Sequence, residues 1–449
     1  PGIDRLIELN KEANQLLREL RAADAEYDRR RGGEIDFDPD RLRERFLPPG
    51  RTLVYFKVTE HYLMRYVLNS AGELTASFSQ PNAAVLREKA AAYNELLYQS
   101  GRDESLLPRC AELGAELYDL LLRPVEHLLE EDLLIVGDDV IDQLPFTALL
   151  TDSVDLTLEP HEWPYLLRDH SVSYAYSLAL LEDQLATPAA STAPRRQVLA
   201  YAPDFSGPAM AQRGETDSTN IHERFFGRLS ANRDEVASLQ ARFPGRYQFG
   251  AEASLADFKR QAEDYGVLHL ATHALADNVE GFSSQIAFAG AGDADKLYAR
   301  ELFSSNIPAD MVVLSACATA VGTNRENEGI ISLARAFTAA GARSLVATLW
   351  PVDDATSTRM MGIFYDGLDR GLPKHQALRL AQLNQLDSGG TTARPYYWAA
   401  YTAQGNMQPL EWRADWYYWP WKWLAALGAG ALIAGVVYLR RRKGKRTRE

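Results

Sequence analysis

Cysteine is scarce in this chain: 449 residues hold two, Cys110 and Cys317. Two thiols make no disulfide framework, and no CxxC pair or Cys/His zinc spacing occurs, so no metal site is expected. The GxSxG elbow, the Walker loop and a complete GxGxxG are also missing; AGAGDA at 289–294 lacks its third glycine and reads as a turn. None of these three enzyme signatures is present, and no cofactor is expected. Basic charge is short as well. The net charge is −13, and the last ten residues hold seven basic groups and one acid, so residues 1–439 carry −19, the whole-chain value less the tail's +6. Such an acidic body argues against nucleic acid as a partner.

What is present is a large apolar fraction, 46% hydrophobic and 10% aromatic, enough for a globular chain with a sizeable core. The sequence starts at Pro1 and reads as a piece of a longer protein. Residues 1–32 have leucine and isoleucine at helical spacing and form an expected amphipathic helix that packs on upstream helices. Residues 33–50 read as a linker. From 52 to 79 apolar and polar residues alternate around a turn signal at 69–72, which predicts an antiparallel meander. Helical periods fill most of 82–129, a short strand follows at 132–137, another at 171–176, and a helix at 178–184. A loop rich in Ala, Thr, Ser and Pro at 186–196 then divides two halves, 51–190 and 191–408.

The second half repeats a β–α rhythm. Strands are expected at 197–202, 246–249, Val267–Leu270, Met311–Leu314 and Ser344–Thr348, with helices at 233–242, 254–265, 329–340, 355–367 and 373–386. Alternating strands and helices mean crossover connections and a mostly parallel sheet covered on both faces, an α/β fold. Chemistry in such sheets gathers at the carboxyl ends of the strands.

Near the end, residues 416–439 (WYYWPWKWLAALGAGALIAGVVYL) contain one charge, and at roughly 1.5 Å per residue they are long enough for about 30 Å of hydrocarbon. With an aromatic belt before the run and the basic tail 440–449 after it, the expectation is a single-pass membrane protein with the lipid bilayer as a partner. The positive-inside rule would put the tail in the cytoplasm and the body on the extracytoplasmic side; a cytosolic body is the alternative.

Two strand ends carry the chemistry. MVVLSACATAVG brings an apolar β-branched run to an abrupt stop at Ser315-Ala316-Cys317, and VLHLATH repeats the design upstream with His273 at its tip. A cysteine attacks a carbonyl as thiolate, and a neighbouring imidazole can take its proton and later protonate the leaving amine. Backbone N–H groups at Cys317 and Ala274 are the simplest oxyanion donors. The competing interpretation is a buried structural thiol near an unrelated histidine. HLATH also has the spacing that binds metal on a helix, but on a strand His269 and His273 stand roughly 13 Å apart, so His269 is read as structural. Cys110 sits in a helical pattern as an ordinary buried thiol. Between 318 and 329 the chain is polar and glycine-punctuated, as a surface loop beside an active site would be, and the expectation is that it rearranges on activation.

HLATHALAD, VVLSACATAVG, NEGIISLARAFTAAGARSLVATLWPVDD and YYWAAYTAQG, with VGDDVIDQLPFTAL between the helical and β–α parts, together resemble the CHAT domain, a caspase-like cysteine peptidase module often found after tetratricopeptide repeats in bacteria. The resemblance runs from about residue 52 to 405. It implies a caspase–separase type of sheet, a dyad of His273 as base and Cys317 as nucleophile, a protein substrate, and an upstream tetratricopeptide-type sensor region with its own ligand. TLWPVDD is similar to a separase stretch in which the aspartate four residues after a tryptophan receives an arginine side chain, here Asp354; Asp353 or Asp354 equally suits the cap of the following helix. The family commonly has glycine after the histidine, whereas this chain has Ala274. That departure keeps a second reading open, a catalytically idle scaffold that binds partners.

Overall fold

Short apolar runs bounded by turn residues become strands buried on both faces, and the helices between them cover those faces. The computed structural model describes residues 39–79, 83–186, 197–205, 231–275, 283–290, 295–315 and 328–410, with side chains described at all of these except Asp139 and 328–332. The chain divides into two units, Pro1–Pro409 and Leu410–Glu449, and the first holds all the strands and helices of the described residues.

In chain order, helix α1 (Pro39–Phe46) falls within the segment read as a linker and leads into β1 (Arg51–Val58), β2 (Leu63–Leu68) and β3 (Leu74–Ser79), the expected antiparallel meander. Helices α2 (Ala83–Gln99) and α3 (Leu107–Leu121) follow, then β4 (Asp132–Val136), β5 (Ser171–Ala175) and α4 (Leu178–Ala186). The second half supplies β6 (Val198–Ala202), α5 (Asn232–Gln240), β7 (Gly245–Phe249), α6 (Leu255–Gln261) and β8 (Val267–Leu270). Three short strands, β9 (Ala274–Leu275), β10 (Gln285–Ala287) and β11 (Lys296–Tyr298), form a separate antiparallel sheet. The chain then gives β12 (Met311–Leu314), α7 (Glu328–Ala339), β13 (Ser344–Thr348), α8 (Asp354–Asp369), α9 (Lys374–Leu386) and β14 (Tyr401–Gly405).

The main sheet has eleven strands in the order β3-β2-β1-β4-β5-β14-β13-β12-β8-β6-β7. From β1 through β14 neighbours run parallel, and from β13 through β7 they run parallel again; the two blocks meet antiparallel at β14 and β13. Each block has its own core. Leu53, Leu68, Leu134 and Val136 pack with Leu42 and Phe46 of α1 in the first, and Leu199, Leu268, Leu270, Val312 and Leu345 pack with Phe258 and Phe337 in the second.

Buried polar groups tie the blocks' strand ends. Arg51, Asp132 and Ser171 are register partners on β1, β4 and β5. Asp132 accepts from Ser171 Oγ and from Gln376 Nε2 at 3.1 Å, and lies 3.1 Å from His375 Nε2, with Arg51 3.8 Å away. Burial alone would raise the Asp132 carboxyl, but its contact with His375, the Ser171 hydroxyl and the Arg51 guanidinium hold it far below the ordinary range. Burial lowers His375, whose Nε2 stands between Asp132 and Arg51 Nη2 at 3.1 and 3.0 Å, and Arg51 supplies the counter-charge to the carboxylate.

The expected membrane localisation is corrected here: among the described residues no helix is long and apolar enough to cross a membrane. The longest of them, α2, has 17 residues and carries Arg87, Glu88, Lys89 and Glu95, where a hydrocarbon span needs about 20 consecutive apolar residues. Residues 416–439, on which that expectation and the bilayer as partner rested, lie outside the described residues, as do 1–32 and the basic tail.

Candidate active site

Strands β8 and β12 are parallel neighbours, and their last residues, Leu270 and Leu314, are register partners. Both strands are buried throughout, so the chain leaves them together at one sheet edge, where each continues into an arm. His273 is the third residue beyond Leu270, and Cys317 is the third beyond Leu314.

The first arm is held on both sides. Ala271 N donates to Tyr201 O at 3.0 Å, Thr272 Oγ1 donates to Ala287 O at 2.6 Å, and Ala287 N donates to His273 O at 2.9 Å. The His273 side chain is 5% exposed and its ring lies 4.8 Å from that of Phe205, tilted by 47°. Phe205 follows β6 and packs against the imidazole, which restricts its rotation.

Ala274 opens β9 opposite Ile286. Hydrogen-bonded and non-hydrogen-bonded pairs alternate in an antiparallel ladder, so the bond between Ala287 and His273 directs the Ala274 N–H away from β10. The backbone there is extended, a conformation alanine adopts without strain, and the methyl group joins the second core.

The second arm is described as far as Ser315. Its Oγ lies 2.9 Å from Ser357 Oγ on α8; Ser357 Oγ donates to Glu235 Oε2 at 3.0 Å; and the other carboxylate oxygen lies 2.8 Å from His269 Nε2. His269 Nδ1 in turn lies 3.1 Å from the Tyr365 hydroxyl. His269 is fully buried in this chain of bonds, on β8 and four residues before His273. Cys317, Ala316 and the loop at 318–327 lie outside the described residues, so the structure places His273 and the root of the second arm but not the thiol.

Of the two aspartates, Asp353 caps α8: its Oδ2 accepts from Thr356 N at 3.0 Å and from Thr356 Oγ1 at 3.1 Å. Asp354 is half-buried in the first turn of the same helix. Nearby, Trp350 is buried, and its indole N–H donates to Tyr396 O at 3.0 Å. Among the described residues no group of three or more His, Cys, Asp or Glu could hold a metal ion. The other cysteine, Cys110, is buried in α3, and burial pushes its thiol up to about 12.

Four residues here were not singled out from the sequence: Phe205, Asn232, Glu235 and Ser357. Asn232 Nδ2 donates to Pro203 O at 2.9 Å and to Ala271 O at 3.2 Å. A signal did exist for Glu235, an acid one turn before Leu239 and so on the helix face that must be buried.

A structure of the separase–securin complex of Saccharomyces cerevisiae matches 82% of this chain and 30% of its own, with a TM-score of 0.51 at 9% sequence identity, which shows a shared fold. In sequence, the mouse protein named tetratricopeptide repeat protein 28 is 34% identical over 110 residues, and the human protein of that name is 32% identical over 116. Each stretch covers 24% of this chain and 4% of the relative. The model of the CHAT domain matches residues 111–406, more than half of the sequence. The chain belongs to the CHAT domain family, and its fold is the mostly parallel, helix-flanked sheet it shares with separase.

Proposed function

We propose that this protein is a caspase-like cysteine endopeptidase in which Cys317 is the nucleophile and His273 the general base. The observation that carries the reading is the parallel register of Leu270 with Leu314, from which each dyad residue is three residues distant, together with an imidazole packed against Phe205. His273 takes the thiol proton, the thiolate attacks the scissile carbonyl, and the resulting oxyanion is held by the N–H groups of Cys317 and Ala274. His273 then returns the proton to the leaving amine, and water attacks the acyl-enzyme with His273 again as base. The substrate is a protein with a basic residue before the scissile bond, its guanidinium received by Asp354. An upstream tetratricopeptide-type region with its own ligand gates the enzyme; the name of the mouse and human relatives supports that association. The extended backbone at Ala274 supports an active site over the idle scaffold, because the missing glycine is not needed for a left-handed conformation.

The test is labelling with an arginyl chloromethyl ketone and hydrolysis of peptides with arginine at P1. Labelling at Cys317 that disappears in His273→Ala, and hydrolysis that disappears in Cys317→Ala with the thermal transition intact, is the expected result. Hydrolysis that survives Cys317→Ala refutes the nucleophile. The pocket is tested separately: an Asp354→Ala enzyme that prefers arginine over neutral P1 residues as strongly as the parent refutes Asp354 as the anchor.

A further inference from the structure

One turn of α5 touches the roots of both arms. Asn232 and Glu235 are three residues apart and share a helix face. Asn232 Nδ2 donates to the carbonyl of Ala271, two residues before His273, and to that of Pro203, two residues before Phe205. Glu235 reaches the other arm through one intermediate, the Ser357 hydroxyl, which contacts Ser315 two residues before Cys317.

The donors and acceptors form one consistent order. Glu235 Oε2 accepts the Ser357 proton, which leaves the Ser357 oxygen to accept from Ser315. Glu235 Oε1 takes the Nε2–H of His269, which leaves Nδ1 to accept from Tyr365. Glu235 is 3% exposed, Ser357 5% and His269 fully buried, so water does not compete for these bonds. A carboxylate in such a place is costly unless every oxygen is used, and here each has its donor. The bonds join α5, β8, α8 and the first residue beyond β12.

We infer that Asn232, Glu235 and Ser357 are positioning residues that set the separation of the His273 and Cys317 arms by tying both roots to a single helical turn. They act through the two arms. Their effect is on geometry, and a misplacement of about 1 Å costs roughly a hundredfold in rate. The tie also includes α8, whose first turn carries Asp354, so the arms and the proposed basic-residue pocket are referenced to the same brace. The inference rests on the peptidase reading, and its test separates the two.

The experiment measures kcat and KM on an arginine-P1 peptide, and the rate of Cys317 alkylation by iodoacetamide across pH, for the parent, Ser357→Ala, Ser357→Thr, Glu235→Gln and His273→Ala. Ser357→Ala is expected to lower kcat about tenfold and to move the alkylation profile toward an ordinary thiol, with KM unchanged; Ser357→Thr, which keeps the hydroxyl, restores both. Glu235→Gln, with one acceptor in place of two, is expected to lose more. If Glu235→Gln does not fold, the Ser357 pair decides alone. Parent-like kcat and alkylation in Ser357→Ala, or a loss that Ser357→Thr does not restore, overturns the positioning role while leaving the peptidase reading in place. A parent Cys317 whose alkylation profile ignores His273→Ala overturns the peptidase reading itself.

Discussion

Each block of the main sheet holds a carboxylate against its strands, Asp132 at the start of β4 in one and Glu235 on α5 in the other, and they use it differently. In the block containing β1, β4 and β5, Asp132 is saturated: Arg51, Ser171, His375 and Gln376 converge on one carboxylate, and the cluster binds strands to α9. In the block containing β8 and β12, Glu235 is also satisfied, but the bonds run outward through Ser357 to Ser315 and stop at the root of an arm. The same device, a buried carboxylate with every oxygen bonded, serves as a static tie in one place and as an aiming brace in the other. The contrast is one of destination as well as depth, for the Asp132 side chain is 13% exposed and that of Glu235 4%.

Breaking the static tie should therefore cost stability and spare reactivity. Asp132→Asn removes the charge facing Arg51, whose guanidinium burial already lowers, and leaves it uncompensated in a site where both side chains are under one-fifth exposed. Loss of one partner of a buried pair costs about 3 kcal/mol. Urea denaturation is expected to show that loss, while the His273-dependent alkylation of Cys317 in the folded protein stays as in the parent. A large fall in alkylation rate at constant fold would mean the two blocks are coupled and the contrast is wrong.

A second tie in the same region gives a pH signature. Lys374 opens α9 with its Nζ donating to the carbonyls of Asn406 and Gln408, both at 2.9 Å, just beyond the end of β14. Burial, partly offset by Asp310 and reinforced by Arg343, pushes this lysine down to about 7, against an ordinary value near 10.4. The unfolded chain then binds the extra proton between those two values, so stability rises with pH across that window and is lost as pH falls through about 7. The slope approaches about 1.4 kcal/mol per pH unit inside the window. Lys374→Met should flatten the urea midpoint between pH 7.5 and 9; a midpoint that stays equally steep in the variant would assign the slope to other groups.

Much of this arrangement was legible in the sequence. The bounds of β8, β12 and β13 coincide with the mainly apolar runs at Val267–Leu270, Met311–Leu314 and Ser344–Thr348, because strands buried on both faces read as near-continuous hydrophobic segments. Strand β14 was not expected: YTAQG alternates polar residues and is buried only because β5 and β13 flank it, a fact about the sheet rather than the segment. The little sheet that begins at Ala274 has strands of two or three residues, too short for any period to register. The place of His273, three residues beyond β8, follows from its strand. Its brace does not, since Ser357 and Glu235 stand 122 positions apart and meet only through the packing of α5 on α8. The membrane expectation came from residues 416–439, outside the described residues, and among the described helices none supports it.

The smallest expected effect falls on the helix that joins the brace to the pocket. Asp353 accepts from Thr356 N and Oγ1 and is exposed, so Asp353→Ala removes a cap worth about 1 kcal/mol and no contact with either arm. Its neighbour Asp354 lies in the first turn and carries the proposed role toward a basic side chain. The pair of single substitutions therefore separates two jobs that adjacent, chemically identical residues could share. Asp353→Ala should lower the thermal midpoint by a few degrees, about 2 °C for that loss in a chain of this size, with the preference for arginine over neutral P1 residues unchanged. Asp354→Ala should do the reverse. If Asp353→Ala instead erased the preference, the carboxylate that caps α8 would also be the one that reads the substrate, and the pocket would have to be redrawn one residue earlier on the helix that Ser357 ties to Glu235.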